Sequence, residues 1–252
     1  MTDTPASNAI DASSELLTGV FSTVVRSWIG AGTTRRKTEQ QVAFYVQEQP
    51  DGTYTRQALN EKFIPSGPLE TLEREELLRN YTPEAKLFTE KLLPAVRLMT
   101  KAIAKGERLR ERGKPYNAEL EFRNALVLDE NNVRANFGLG MTLMDQGNED
   151  ESGQIFERLM DQDETFKPDN KHLFNEYGMR LRKNGMFDKA LRYYDKAYIL
   201  SDRDEHLLYN IARTHYERGA HDDALLFADK ALAINPGLKA ASDLKAIIQN
   251  QQ

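Results

Sequence analysis

The chain has 252 residues, 40% hydrophobic and 29% charged, with a net charge of −5 and no cysteine. This is the composition of a globular protein long enough for one extended domain or two small ones. The missing cysteine removes disulfides, thiolate nucleophiles and thiolate metal sites together. No apolar run approaches the roughly 18 residues of a membrane-spanning helix, and MTDTPASNAIDASSELLTG lacks the basic start and apolar core of a secretory signal, so the reading is cytoplasmic with no membrane span.

In chain order, residues 1–19 are rich in Ser, Thr, Ala and Asn and lack periodicity, the pattern of a disordered N-terminal arm. VFSTVVRSWIGAGTTRRK (20–37) follows, with the only tryptophan, Trp28, and the basic cluster Arg35, Arg36 and Lys37. The glycines at 30 and 32 do not form a phosphate loop, because the G-x-x-x-x-G-K-[ST] spacing is absent. The flexible arm is therefore read as residues 1–37. QVAFYVQEQ and TYTRQAL flank Pro50-Asp51-Gly52 and predict a small β-hairpin. Two strands alone are marginal in water, so the hairpin must pack on helices or be completed by residues 20–29 or by another chain.

IPSGP (64–68) is a breaker-rich connection, and Leu69 to Asn80 reads as a short acidic helix. The hairpin and this helix form a segment over 38–82. Thr82-Pro83-Glu84 then reads as a helix start, with Thr as cap and Pro at the first helical position. That helix runs toward residue 99 and is kinked or interrupted at Pro94.

From residue 99 a pattern returns every 34 residues. Gly178, Leu181, Gly185, Ala190, Tyr194 and Ala197 correspond to Ala212, His215, Gly219, Ala224, Ala228 and Ala231. Earlier units supply Gly140, Leu143, Gly147, Ser152, Phe156 and Leu159, and Gly106, Leu109, Gly113, Ala118, Phe122 and Ala125. The repeats are 99–132, 133–166, 171–204 and 205–238. Each half-unit has apolar residues at helical spacing around a turn glycine, which makes a helical hairpin. The spacing predicts that Gly178 faces Ala190 across the hairpin, and that Leu181, Tyr194 and Phe122 fill the space between hairpins. One hairpin cannot cover its own apolar faces, so hairpins must stack. Residues 239–250 read as a capping helix.

The period, the small residue in the first helix, the turn glycines and the Ala-x-x-x-aromatic-x-x-Ala second helix resemble tetratricopeptide repeats. The whole-chain plan resembles bacterial tetratricopeptide-repeat proteins. The resemblance implies a mostly α fold, a right-handed α-solenoid of about four helical hairpins over 83–252, preceded by the hairpin and arm. Departures fall at the Lys167–Asn170 insertion and at Ser152 and Leu159, where irregularity is expected; the closing proline survives only as Pro236.

In such a solenoid the first helices line the concave side, which implies a partner-binding groove of Arg134, Phe137, Met141 and Met144, then His172, Asn175, Met179 and Arg182, then His206, Tyr209, Arg213 and Tyr216, with Asn210 beside the row. Met, Phe and Tyr with Arg suit a peptide segment bearing apolar and acidic groups. The methionines have packing between helices as their alternative role. Family members that grip a chaperone's C-terminal carboxylate carry a Lys/Asn/Arg clamp. The equivalent places here read Ile103, Glu107, Gly138, His172 and Glu176, or Phe137, Met141, Glu176, His206 and Asn210, and supply no clamp.

His172 and His206 share a repeat slot near Glu176, but polar groove positions explain them better than a metal does. No nucleophile is paired with a base, so no enzyme and no cofactor is expected. The basic cluster is too small for nucleic acid. Nine acids against two bases between Asp145 and Asp169 give a local charge of −7, either a solvated face or a dock for a basic partner. The sequence thus reads as a protein-interaction scaffold or adaptor; the alternative is a self-assembling protein that oligomerises through its arm and hairpin.

Overall fold

The computed structural model describes residues 16–29, 36–161 and 170–250. Contacts divide the chain into two units, one reaching Ala102 and including Asn124–Asn131, the other comprising Ile103–Arg123 and the residues from Asn132 onward. The division falls inside a helix at Ala102–Ile103.

The first unit is built on a five-stranded antiparallel sheet: β1 (Thr18–Ile29), β2 (Arg36–Glu48), β3 (Tyr54–Ala58), β4 (Glu70–Leu72) and β5 (Thr82–Pro83), in the order β4-β3-β2-β1-β5. The hairpin turn holds because Gly52 takes φ 82° and the Asp51 carboxylate accepts from the Thr53 amide and hydroxyl. Residues 18–29 of the expected arm are a strand, paired along β2 from Thr18↔Gln47 to Ile29↔Arg36. The hairpin is thus completed from within the chain; residues 1–15 and 30–35 of that arm lie outside the described residues.

Helix α1 (Arg74–Asn80) is shorter than the expected 69–80 span, because residues 70–72 pair with β3. Val46, Tyr54, Leu72, Leu77 and Tyr81 form the buried cluster, with Phe21 and Phe44 against it. Arg56 lies 5.0 Å from the Phe44 ring centre and bridges to Glu70 at 2.8 Å.

The Thr82-Pro83-Glu84 reading needs correction. Thr82 and Pro83 pair with β1, the helix begins at Ala85, and Glu84 accepts a hydrogen bond from the Ser22 hydroxyl at 2.7 Å. A single α turn, α2 (Ala85–Leu87), leads into a π-helical turn over Phe88–Leu92 and then α3 (Leu93–Glu111). The widened turn sits immediately before Pro94, whose ring and missing N–H disrupt a regular α ladder.

In the second unit, the helices form successive hairpins. The first hairpin pairs the end of α3 with α4 (Pro115–Leu128); the second is α5 (Val133–Asp145) and α6 (Glu149–Met160). The third is α7 (Lys171–Lys183) and α8 (Phe187–Leu200), and the fourth α9 (Glu205–Glu217) and α10 (His221–Ile234). A last helix, α11 (Lys239–Gln249), buries Ala241, Leu244 and Ile248 as the cap. Each first helix ends in the same way. Gly113, Gly147, Gly185 and Gly219 take φ between 67° and 85°, and the following amide reaches back to a carbonyl five residues earlier, as from Met186 to Leu181. These Schellman closures require a residue without a Cβ penalty, which fixes glycine at that place.

Packing within the hairpins differs from expectation at one point. Gly178 opposes Tyr194, not Ala190: an added Cβ would lie 2.5 Å from the Tyr194 ring. A Cβ on Gly140 would lie 2.7 Å from Phe156, and one on Gly106 2.9 Å from Phe122. Gly138, from the next repeat, closes on the same Phe122 ring, where a Cβ would come to 2.3 Å. Phe122 is therefore seated between glycines of two successive hairpins and is fully buried. The fourth repeat solves the same problem inversely, with Ala212 and Ala228 both at 0% exposure.

Between the second and third repeats the core is aromatic. Phe156 stacks on Tyr177 at 3.4 Å, and Tyr177 meets Tyr193 edge-on at 4.6 Å. Burial pushes both tyrosine hydroxyls above the usual phenol pKa. Ser152 and Leu159 are buried, and the Ser152 hydroxyl donates to the Gly140 carbonyl at 2.9 Å. Residues 167–169 of the insertion lie outside the described residues.

Two predictions follow from this packing. Gly178→Ala costs about 1–3 kcal/mol through overpacking, and the cost shrinks in a Tyr194→Ala background, as measured by urea denaturation of the single and double variants. The second concerns His215, which takes the place of a core leucine and stacks on Phe227 at 5.5 Å. Burial lowers its pKa; Asp223 at 3.7 Å and Asp195 oppose that shift, and Arg218 adds to it. A histidine whose folded pKa is lowered takes up its proton more readily when unfolded, so stability is lost as pH falls below about 6.5. The unfolding midpoint of His215→Leu is expected to fall less between pH 7 and 5 than that of the parent; equal slopes would contradict this.

Candidate protein-interaction face

The first helices of the second unit meet along their lengths through ion pairs. Arg134 of α5 binds Glu107 of α3 through two hydrogen bonds, at 2.6 and 2.8 Å. Arg110 of α3 reaches Glu176 of α7 at 2.7 Å and Asp145 of α5 at 3.9 Å, and Arg180 of α7 also bonds Asp145. Arg182 of α7 and Arg213 of α9 share Glu217, at 2.5 and 2.9 Å. Five arginines thus share four carboxylates in this ladder. Arg110→Asp145 and Arg182→Glu217 are equivalent bridges, each from the twelfth place of one repeat to the thirteenth of another. An amide contact adds to the series, from Asn210 to Asn175 at 3.0 Å.

The structure separates the predicted groove residues into three sets by burial. Phe137 and Met141 are 5% and 3% exposed, and Phe137 packs edge-on to Phe156 at 5.2 Å, so both belong to helix packing. Arg182 is 7% exposed and its guanidinium is engaged by Glu217, which makes it a strut between α7 and α9. Open to solvent are Arg134, His206 and Arg213, with side chains 57%, 71% and 46% exposed. Met179, Asn175, Asn210, Tyr209 and Tyr216 are half-buried. His206, Tyr209, Arg213 and Tyr216 lie on one face of α9, opposite its buried Leu207, Leu208, Ile211 and Ala212.

The bridging roles of Glu107, Arg110, Asp145, Arg180 and Glu217 do not emerge from the sequence reading, although Arg110 with Asp145 and Arg182 with Glu217 recur at matching places. That recurrence was the available signal. Among the described residues no group of three His, Asp or Glu side chains is placed to hold a metal ion.

Because Arg182 is buried, replacing it acts on stability before it acts on binding. Arg182→Glu sets a second carboxylate beside Glu217 and is expected to destabilise at the low end of the about 3–5 kcal/mol that breaking a buried pair costs, Glu217 being partly solvated. Arg182→Met, which keeps the stem's packing, costs less; thermal unfolding of the two variants tests the order.

The family model described as Tetratricopeptide repeat matches residues 103–165 and 178–239. No curated protein matches the chain in sequence. Among solved structures, the Pseudomonas aeruginosa protein pilF is 16% identical with a TM-score of 0.53, over 63% of this chain and 70% of that one. A MamA structure is 21% identical with a TM-score of 0.51, over 61% of this chain and 81% of that one. The C-terminal part of a TPR repeat-containing protein from Cytophaga hutchinsonii is 16% identical with a TM-score of 0.50, over 60% and 58%. At these identities the likeness is one of fold, and tetratricopeptide-repeat folds generally mediate protein–protein interaction. Period, turn closures, helix ranges and family match agree: the chain belongs to the tetratricopeptide-repeat family.

Proposed function

We propose that the protein is a non-enzymatic interaction scaffold or adaptor that holds a segment of a partner protein along the first-helix face of its third and fourth repeats. The observation that carries this reading is the α9 row, where His206 and Arg213 stay exposed beside half-buried Tyr209 and Tyr216. Aromatic rings whose bodies are fixed in packing, next to a guanidinium already oriented by Glu217, lose little freedom when a segment binds. The ladder's one excess positive charge favours a segment that combines apolar and acidic groups.

The test replaces exposed residues only. His206→Glu with Arg213→Glu is expected to lower the unfolding midpoint by only about 2–4 °C, because the Arg213–Glu217 pair that it breaks is half-exposed and such pairs contribute at most about 1 kcal/mol. The same change is expected to abolish recovery of partners that the parent chain retains from native lysate, identified by mass spectrometry. Identical recovery by both baits would contradict the reading.

A second reading, self-assembly through the sheet, is favoured by one observation. Among the described residues β5 covers β1 only at Phe21 and Ser22, and Val24 and Val25 are 57% and 41% exposed. Beyond that pairing the strand offers an open edge, the usual template for adding another strand. Val24→Lys in this reading lowers the mass found by light scattering to that of the 28.8 kDa monomer; a parent chain that is already monomeric contradicts it.

A further inference from the structure

A cavity of about 120 Å³ opens between the second and third repeats at their turn-bearing edge. Met144, Tyr177, Leu181 and Met186 form its apolar wall, and Glu149, Asp150 and Lys189 stand at its rim. Within it, the Ser152 hydroxyl donates to the Gly140 carbonyl at 2.9 Å. A dry apolar cavity of about 150 Å³ admits a benzene-sized group, so this volume suits one aliphatic side chain rather than a large ring.

Gly153 also lines the cavity, and neither crowding nor backbone conformation calls for a glycine there. It sits inside α6, its φ is not positive, and a Cβ built on it meets nothing within 4 Å. Gly106, Gly138, Gly140 and Gly178 each make room for a ring, and the turn glycines each need a positive φ. Gly153 does neither, yet a glycine inside a helix is less stable than an alanine. A bare backbone at a cavity mouth permits close approach by something outside the fold.

We propose that this cavity is a docking site for a segment of another protein that presents a single leucine- or methionine-sized side chain beside a lysine or arginine. The aliphatic group enters between Met144, Leu181 and Met186, and the segment's backbone passes over Gly153. Glu149 and Asp150, both exposed and without an ion-pair partner among the described residues, face the segment's cation. Lys189 donates to one of its carbonyls. The charge preference is opposite to that of the α9 row, so the two sites take different chemistry and this inference stands independently of the first-helix reading.

The test is a titration of the full chain, followed by amide NMR shifts, with the synthetic peptide acetyl-Gly-Lys-Leu-Lys-Gly-amide and with versions carrying Ala for Leu or Glu for Lys. The lysine–leucine peptide is expected to shift Gly153, Met186 and Lys189, and the other two to bind about tenfold more weakly or not at all. Gly153→Ala is expected to raise the unfolding midpoint by about 2–4 °C while weakening the peptide about tenfold, and Arg213→Glu to leave its binding unchanged. A more stable variant with weaker binding separates a ligand role from a purely structural one. Absent shifts, equal binding of the glutamate peptide, shifts confined to α9, or undiminished binding by Gly153→Ala would each overturn the proposal. Shifts at Gly153 that depend on protein concentration without peptide would overturn it in favour of a second copy.

Discussion

The fit of aromatic rings into glycine notches governs the repeat unit. Phe122 seats between Gly106 of its own hairpin and Gly138 of the next, and Phe156 and Tyr194 seat against Gly140 and Gly178. Interiors are packed to near-crystalline density, so these rings set how closely neighbouring helices lie, and a methyl group at any notch forces one of them to move. That spacing in turn sets the reach of the arginine ladder. Arg182 and Glu217 meet at 2.5 Å only because α7 and α9 approach closely enough for their side chains to span the seam.

The ladder changes how the first-helix face should be understood. A row of arginines suggests a cationic groove, but here nearly every guanidinium is matched by a carboxylate from a neighbouring repeat. Such pairs, mostly half-exposed, add modest stability. Their larger consequence is to fix side-chain directions, so that the exposed part of the face consists of a few oriented groups on α9. The cavity at Gly153, with its acidic rim, lies between the second and third repeats. A stack of hairpins can present chemically distinct sites because each helix buries only one stripe.

Much of this was legible in the sequence. The 34-residue period placed the hairpins of the second unit, because one glycine at each turn and small residues at fixed places leave a strong pattern. The cap was legible from apolar spacing after Pro236. The Pro-Asp-Gly turn announced the β2–β3 hairpin, and residues 20–29 were already candidates to complete it. Less legible was anything that depends on which side chain meets which across helices. Gly178 was matched with Ala190 because both are small, whereas the notch exists for Tyr194. Thr82-Pro83 looked like a helix cap, and strand pairing with β1 prevailed. Phe137, Met141 and Arg182 fell on binding places by repeat position, yet burial assigns them to packing and bridging; position in a repeat gives the face of a helix, not how deep the neighbouring repeat covers it.

Native-state hydrogen exchange on the parent chain and on Gly138→Ala tests the ring-and-notch account most directly. Because Phe122 is held by glycines of two hairpins, the account predicts that the added methyl lowers protection together in α4 and α5 and reduces it in α7, through the shared aromatic core. Loss of protection confined to the turn of α5 around residue 138, with α4 and α7 unchanged, would contradict it.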